Sequence, residues 1–233
     1  MRRETQNILL VLLGGALLKI SLTGSYLRYV KPSLQPWLIA AGLVMVALAV
    51  VAIVRDIRAG HAVDQHEHGT RSPWMLLLPV LAIFLVAPPA LGSDSVTRDR
   101  AAAAPAAPSQ ARFPPLPPGE APVLSMSEFL TRVVWDDSGA LNNRDVRLRG
   151  FVVHPTPETT QLVRMRISCC AADATPVKVD LASPRAENLP ADTWIEITGR
   201  LRPGTATEAN DYVPTVDPLA ITRIPAPPDT YEF

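Results

Sequence analysis

Residues 34–54 read LQPWLIAAGLVMVALAVVAIV and contain no charged side chain. As an α-helix with a rise of about 1.5 Å per residue, this stretch covers roughly 30 Å, the thickness of the hydrocarbon core of a bilayer. Trp37 lies near one end, where interfacial aromatic residues are common, and Arg55 follows the other end. The stretch therefore predicts a transmembrane helix and an integral membrane protein.

A second apolar run lies further along the chain. Residues 74–92 read WMLLLPVLAIFLVAPPALG. They predict another span, in which Pro79 kinks the helix and the pair Pro88 and Pro89 ends it.

The run that precedes residues 34–54 is mixed in character. Residues 8–18 are apolar and follow two arginines, a pattern that also fits a signal peptide. No small-residue cleavage site follows and the apolar character continues, so we predict a retained span over residues 7–30. Lys19 would lie inside this span. There it would either face a partner or a polar path, or snorkel outward from a tilted helix.

Basic residues near the ends of these three spans set the expected orientation. Arginine before the first span favours a cytoplasmic N-terminus, which places the C-terminal part outside the cytoplasm. Arginine greatly outnumbers lysine and alanine is abundant, as in high-GC bacterial genomes. We therefore predict a multi-pass protein of the bacterial inner membrane. The expected cytoplasmic side carries Arg2, Arg3, Arg55, Arg58 and Arg71. The opposite side carries Arg28, Lys31, Arg98 and Arg100.

The loop between the second and third spans is rich in histidine. His61, His66 and His68 are three of the four histidines of the chain. Imidazole binds zinc and similar ions, so this loop is a candidate weak metal site. A solvated polar loop is the alternative, because three ligands on a flexible segment give low affinity at best.

The composition changes after the third span. We predict a membrane domain over residues 1–97, a linker over 98–122 and a soluble domain over 123–233. The linker reads RDRAAAAPAAPSQARFPPLPPGEAP. Its Ala/Pro-rich composition lacks apolar periodicity and predicts a semi-rigid extended spacer.

The soluble domain alternates between strand-like runs and turn residues. A short helix over residues 125–134 begins with Ser125 and Glu128 in a capping-box pattern. The fold class predicted is three membrane helices plus a small all-β or α+β domain, an OB-like five-stranded barrel, although a β-sandwich would read similarly. Gly150 and Gly199 are expected at bulges of such strands. The runs lie at 145–154, 161–169, 177–181, 194–201 and 219–224.

The two cysteines of the chain are adjacent, at Cys169 and Cys170. On a strand they would point to opposite faces, one into the core and one outward. At the end of the strand, a turn would instead bring both sulfurs together, and thiolates suit zinc, Cu(I) or another thiophilic metal. Asp173 and His154 would then be further ligands. No C-x-x-C spacing supports the site.

Nucleic-acid binding is disfavoured. The formal net charge is zero, with 22 basic and 22 acidic residues, which gives no overall attraction to nucleic acid. A basic stripe on the predicted barrel would lack the stacking aromatic residues that single strands need. The stripe would comprise Arg144, Arg147, Arg149, Arg164 and Arg166.

Four stretches together resemble a known family. They are SLTGSYLRYVKP at 21–32, PPALGS at 88–93, ISCCAADATPVKV at 167–179 and WIEITGRL at 194–201. The chain is similar to the bacterial YcgQ-type family of permease subunits, which pairs membrane spans with a C-terminal domain of unknown function. The resemblance implies a separate permease as companion. It brings no catalytic residues.

These observations predict a non-enzymatic accessory subunit. Three spans are few for a transporter, and the motifs of nucleotide-binding proteins, serine hydrolases and zinc proteases do not occur. The expected partners are a multi-span permease and the membrane, and the expected cargo is a metal or metalloid ion. The alternative is a membrane-anchored redox or metal-sensing module that uses the cysteine pair.

Overall fold

The computed structural model describes residues 3–58, 89–98 and 113–233. The chain divides into two compact units, Met1–Pro89 and Ala90–Phe233. Each unit is built around its own packing contacts.

The first unit contains a helical hairpin. Helix α1 spans Arg3–Leu22 and helix α2 spans Gln35–Arg58, and two short 3-10 turns, Ser25–Arg28 and Pro32–Leu34, connect them. The amide of Asn7 donates to the carboxylate of Asp56 at 3.3 Å. At the other end of the hairpin, the Gln35 amide donates to the Ser21 carbonyl at 3.0 Å. The two helices are therefore antiparallel.

Two glycines let the helices approach closely. A Cβ atom on Gly14 would lie 2.9 Å from the Gly42 carbonyl oxygen and 2.8 Å from Val46 Cγ2. A Cβ atom on Gly42 would lie 2.9 Å from Leu18 Cγ. Small residues at such a crossing permit backbone contact that larger side chains would prevent.

The prediction of three membrane helices is wrong. Within residues 3–58, 89–98 and 113–233, α2 with the 3-10 turn before it is the one helix long and apolar enough to cross a membrane. It contains the predicted span 34–54. Of the predicted span 74–92, residues 74–88 lie outside the described residues, and 89–92 have no regular structure.

The predicted span 7–30 is also corrected, because α1 ends at Leu22. The Thr23 hydroxyl donates to the Lys19 carbonyl at 2.9 Å. Gly24 then adopts a φ of 78°, in the left-handed region that interrupts a right-handed helix. The apolar residues up to residue 30 therefore do not extend the span.

The second unit is built on one sheet. Its helices are α3, Ser93–Arg98, α4, Met126–Trp135, and α5, Pro184–Glu187. Its strands are β1, Asp145–Thr156, β2, Thr159–Arg166, β3, Thr175–Leu181, β4, Trp194–Leu201, β5, Thr215–Arg223, and β6, Tyr231–Glu232. The order is β1-β4-β5-β3-β2-β6, and β1 also pairs with β2.

The prediction of a five-stranded OB-like barrel is wrong, because the structure has six strands in one mixed sheet. The pairs β3–β5 and β2–β6 are parallel, and the other pairs are antiparallel. Strand β6 has two residues, too few to show a period of two in the sequence. Its pairing with β2 therefore depends on tertiary contacts.

The two predicted strand glycines behave differently. The register between β4 and β5 shifts at Gly199, as expected of a bulge. Gly150 pairs in regular register with Ile195, so its predicted bulge is wrong. A Cβ atom on Gly150 would lie 2.5 Å from the Val163 carbonyl oxygen. The glycine therefore permits a close approach of β1 and β2.

Helix α4 covers one face of the sheet. The predicted N-cap is confirmed, since the Ser125 hydroxyl accepts a hydrogen bond from the Glu128 amide at 3.0 Å. The Glu128 carboxylate accepts from the Arg132 guanidinium instead of completing the predicted capping box. The apolar side of α4, with Met126 and Phe129 fully buried, packs on the main core of the domain. A smaller cluster on the other side includes Phe151, Met165 and Tyr231.

Part of the predicted linker packs on this domain. Residues 99–112 lie outside the described residues, and 113–122 contain no helix or strand. Backbone carbonyls of this segment accept hydrogen bonds from arginines of the domain: Pro114 from Arg132, Gly119 from Arg144 and Ala121 from Arg147. The segment is thus held against the domain instead of standing free.

Candidate thiol and metal site in the turn between β2 and β3

The cysteine pair lies in the turn that joins β2 to β3. Strand β2 ends at Arg166, and the buried side chain of Ile167 anchors the start of the turn in the smaller core cluster. The Ile167 amide donates to the Glu232 carbonyl of β6 at 2.9 Å. Cys169 is exposed and Cys170 is half-buried. The turn therefore presents both thiols at the surface of the domain.

Asp173 organises this turn. Its Oδ1 accepts the Ser168 amide at 2.7 Å, and its Oδ2 accepts the Cys169 amide at 2.8 Å and the Cys170 amide at 3.3 Å. In return, the Cys170 sulfur accepts the amide of Asp173. One carboxylate thus accepts hydrogen bonds from three successive backbone amides.

The turn brings the two sulfurs together. Cys169 Sγ lies 3.7 Å from Cys170 Sγ. These sulfurs and a carboxylate oxygen of Asp173 all lie within 4.8 Å of one another. The sequence allowed two arrangements of the cysteine pair, on opposite faces of a strand or in a turn after it. The structure shows the second, because both cysteines lie in a turn beyond the end of β2.

The shared hydrogen bonds shift two pKa values in opposite directions. The thiol of Cys169 donates to Asp173, which stabilises the carboxylate and, with the backbone amides, lowers the pKa of Asp173 to about 2. The same hydrogen bond, with a weaker one to Cys170, raises the pKa of Cys169 to about 11. At neutral pH, Cys169 is a thiol and Asp173 a carboxylate, so a metal that binds here must displace a proton.

Family models match most of the chain. Residues 5–101 match the DUF1980 N-terminal domain, and residues 128–233 match the DUF1980 C-terminal domain. The chain carries both domains of the DUF1980 family. No curated protein and no solved structure matches it. The DUF1980 matches give no function, so the permease role implied by the YcgQ-type resemblance stays a prediction.

The DUF1980 C-terminal domain does not bring His154 to the cysteine pair. The His154 ring hydrogen-bonds with the Leu189 carbonyl at 2.8 Å and with the Thr160 hydroxyl at 3.2 Å. Within the described part of the chain, the group of potential metal ligands comprises Cys169, Cys170 and Asp173. The imidazole that sequence reasoning offered as a ligand therefore has a structural role.

The other candidate residues belong to the DUF1980 N-terminal domain. Lys19 is an exposed residue of the last turn of α1. The proposed histidine ligands His61, His66 and His68 lie outside the described residues.

Glu232 is the residue that sequence reasoning missed. Its backbone carbonyl holds Ile167 at the start of the cysteine turn. Its carboxylate accepts the amides of Met126 and Ser127, at 2.7 and 2.8 Å, and so caps α4. An isolated acidic residue next to the C-terminus carries no sequence signal for either contact.

Proposed function

We propose that this chain is a non-enzymatic accessory subunit of a membrane permease complex that handles a metal or metalloid ion. The observation that carries the proposal is the pair of sulfurs 3.7 Å apart, one on the exposed Cys169 and one on the half-buried Cys170, at the turn that precedes β3. Soft thiolate ligands select thiophilic ions. Exposure suits an ion that is received and passed on rather than sealed in a core.

The helix α2 supports a place in the membrane. Its exposed residues include Val44, Leu48 and Val51, which are each about half exposed or more in the chain alone. Apolar surface of this extent on a helix of spanning length suits contact with lipid or with the helices of a permease. The proposed location is the bacterial inner membrane. The expectation of a C-terminal domain outside the cytoplasm depended on three spans, a number that the structure does not support. A topology reporter fused after Phe233 would test that orientation.

The arginines of the sheet support a partner other than nucleic acid. Arg149 pairs with Glu196 at 2.6 Å, and Arg147 lies 3.9 Å from the same carboxylate. Arg164 is buried over the ring of Trp194, at 4.9 Å from its centroid. These cations are neutralised or buried within the domain, so they do not form an open track for phosphates.

The test is purification of the tagged full chain in mild detergent, with mass spectrometry of bound proteins and elemental analysis. A co-purifying multi-span permease supports the proposal, and a metal in the eluate identifies the cargo. The variant with Cys169→Ser and Cys170→Ser is expected to keep the permease and lose the metal. Purification of the wild-type chain without any permease would refute the accessory-subunit role.

A second candidate is a membrane-anchored redox or metal-sensing module. The exposure of Cys169 favours it, because a sensor thiol must be reached by its signal. In this case the chain acts without a permease and the thiols change state on exposure to oxidant or metal. Thiol titration before and after exposure distinguishes the two candidates. An unchanged cellular phenotype in the double serine variant would exclude the sensor.

A further inference from the structure

We infer that Cys169 and Cys170 chelate one tetrahedral divalent cation of the zinc class through their two sulfurs, with Asp173 as a positioning residue. Two coordination positions then stay open for ligands of a partner. This inference rests on the proposed function, because it names the cargo of the proposed subunit. It makes the chain a donor or acceptor of the ion rather than a permanent store.

The distance between the sulfurs fits a tetrahedral ion. Two thiolates bound at about 2.3 Å with a tetrahedral angle between them lie about 3.8 Å apart. The observed separation between Cys169 Sγ and Cys170 Sγ is 3.7 Å. A linear arrangement with the same bond length would require about 4.6 Å. The turn therefore holds the sulfurs at the separation of a tetrahedral chelate.

A disulfide is a poorer fit to this turn. Adjacent Cα atoms lie about 3.8 Å apart across a trans peptide bond, below the range of about 4.4 to 6.8 Å that unstrained disulfides span. The described peptide bonds include none in the cis form. A bond between these two sulfurs would be strained and easily reduced. The reduced pair, which can bind a cation, is the favoured state.

Asp173 acts through the backbone. Both of its oxygens already accept amide hydrogens, from Ser168 on Oδ1 and from both cysteines on Oδ2. These bonds fix the backbone positions from which the two sulfurs project. The Asp173 amide also donates to the Cys170 sulfur, as outer-shell donors do to metal-bound ligands. Asp173 therefore positions the ligands without having to be one.

The coordination sphere is incomplete within the described part of this chain. The group of potential ligands there has Cys169, Cys170 and Asp173, with no imidazole. Structural zinc sites are closed by four protein ligands, whereas an open position is the mark of a site that exchanges a ligand. The exposure of Cys169 leaves room for a second protein to approach. This arrangement suits transfer of the ion between proteins.

The test is titration of the reduced full chain in detergent with Co²⁺, followed by competition with Zn²⁺. Tetrahedral thiolate coordination should give strong d–d bands and a sulfur-to-cobalt charge-transfer band with one equivalent, both removed by Zn²⁺. Cys169→Ser and Cys170→Ser should each lose at least half of the charge-transfer intensity. The neighbouring Ser168→Ala is the matched control and should bind as the wild type does, because only the Ser168 backbone enters the turn.

Asp173→Asn separates positioning from ligation. Outer-shell changes reduce metal affinity by about 10- to 100-fold. The variant should bind Co²⁺ that much more weakly, but the same spectrum should return at saturation. A different d–d spectrum at saturation would make Asp173 a ligand and overturn its assigned role.

Two results would overturn the chelate itself. One is the absence of the charge-transfer band in the reduced wild-type chain. The other is unchanged binding in both serine variants, which would place the ion elsewhere. Neither result depends on a permease. A chain that binds zinc as described but purifies without a permease would instead refute the accessory-subunit role alone.

Discussion

At the scale of single residues, Asp173 and Cys169 show how one hydrogen bond tunes two groups. The thiol donates a hydrogen bond to the carboxylate. This bond stabilises the protonated form of Cys169 and the ionised form of Asp173, which are the forms present at neutral pH. The cysteine therefore combines an exposed position with a low content of thiolate. Exposure alone would suggest a reactive cysteine, whereas the electrostatics of the turn predict a protected one.

Alkylation of Cys169 should be slow. A pKa of about 11 in place of 9.0 lowers the thiolate fraction at neutral pH about 100-fold. A more basic thiolate is a better nucleophile, which raises the rate about 10-fold, so the net alkylation rate falls about 10-fold. In a Cys170→Ser background, Asp173→Asn should accelerate iodoacetamide labelling of Cys169 about 10-fold, as measured by mass spectrometry. Ser168→Ala should leave the rate unchanged. Slower labelling of the Asp173 variant would contradict the assigned hydrogen bond.

The pH dependence of the turn follows from Asp173. Its pKa in the folded chain is lowered to about 2 from 3.8. Its contribution to stability is therefore fully present above about pH 4 and is lost as the pH falls toward 2. The amide resonances of Ser168 and Cys169 in NMR spectra should titrate with a midpoint near pH 2. A midpoint near 4 would show that the carboxylate does not accept these amides.

Glu232 links two distant parts of the C-terminal domain. Its carboxylate accepts two backbone amides at the start of α4 and the Ser127 hydroxyl at 2.6 Å. Glu232→Gln removes the charge that favours a helix N-terminus and weakens these bonds, so it should destabilise the domain by about 1–2 kcal/mol. A lower midpoint of urea unfolding measures this. The exposed Glu187→Gln is the control, and an equal loss there would contradict the specific role of Glu232.

At the scale of elements, the helical hairpin and the sheet are specified differently. The helix α2 can be recognised from its apolar run, because a helix makes its backbone hydrogen bonds between residues that are close together in the sequence. The contact of α1 with α2 depends instead on which glycine faces the partner helix. Gly14 and Gly15 are adjacent, yet a Cβ atom would clash at the first and meet nothing within 4 Å at the second.

Substituting Gly14 and Gly15 separately gives a matched test of how α1 packs on α2. Gly14→Ala forces a Cβ atom into the backbone and side chain of α2 and should destabilise the hairpin by about 1–3 kcal/mol. Gly15→Ala should be neutral or stabilise it by about 0.5–1 kcal/mol, because alanine favours a helix over glycine. Thermal unfolding in detergent, followed by circular dichroism, distinguishes them. Equal effects of the two substitutions would contradict the packing of α1 on α2.

At the scale of the whole molecule, the described residues of the first unit include one apolar helix of spanning length, and those of the second unit form an ordinary core. Within the described ranges, exposed large apolar residues are concentrated in the first unit. This surface predicts that the full chain is held in a membrane by α2.

Carbonate extraction tests that prediction. The wild-type chain should stay in the membrane fraction at alkaline pH. Val44→Arg with Leu48→Arg should release it, because arginine at the centre of a membrane helix costs about 2.5–3.5 kcal/mol per residue. Val44→Leu with Leu48→Ile keeps the surface apolar and is the control. Release of the wild-type chain by carbonate would contradict membrane insertion.

Features that depend on local pattern could be predicted from the amino-acid sequence. The long apolar helix α2 follows from an uninterrupted apolar run, and the start of α4 follows from the capping residue Ser125. The adjacency of the two cysteines already left only two arrangements, with the thiols on opposite faces of a strand or together in a turn. Each of these features is set by residues within one or two turns of one another.

Features that join distant parts of the chain depend on tertiary contacts and could not be predicted in this way. The six-stranded order, with a sixth strand of two residues, depends on the pairing of β6 with β2. The separation of the two sulfurs depends on Asp173 and on Glu232, which holds Ile167 at the start of the turn. Such contacts have no periodicity in the sequence, because they arise where buried backbone donors find acceptors after the core has formed.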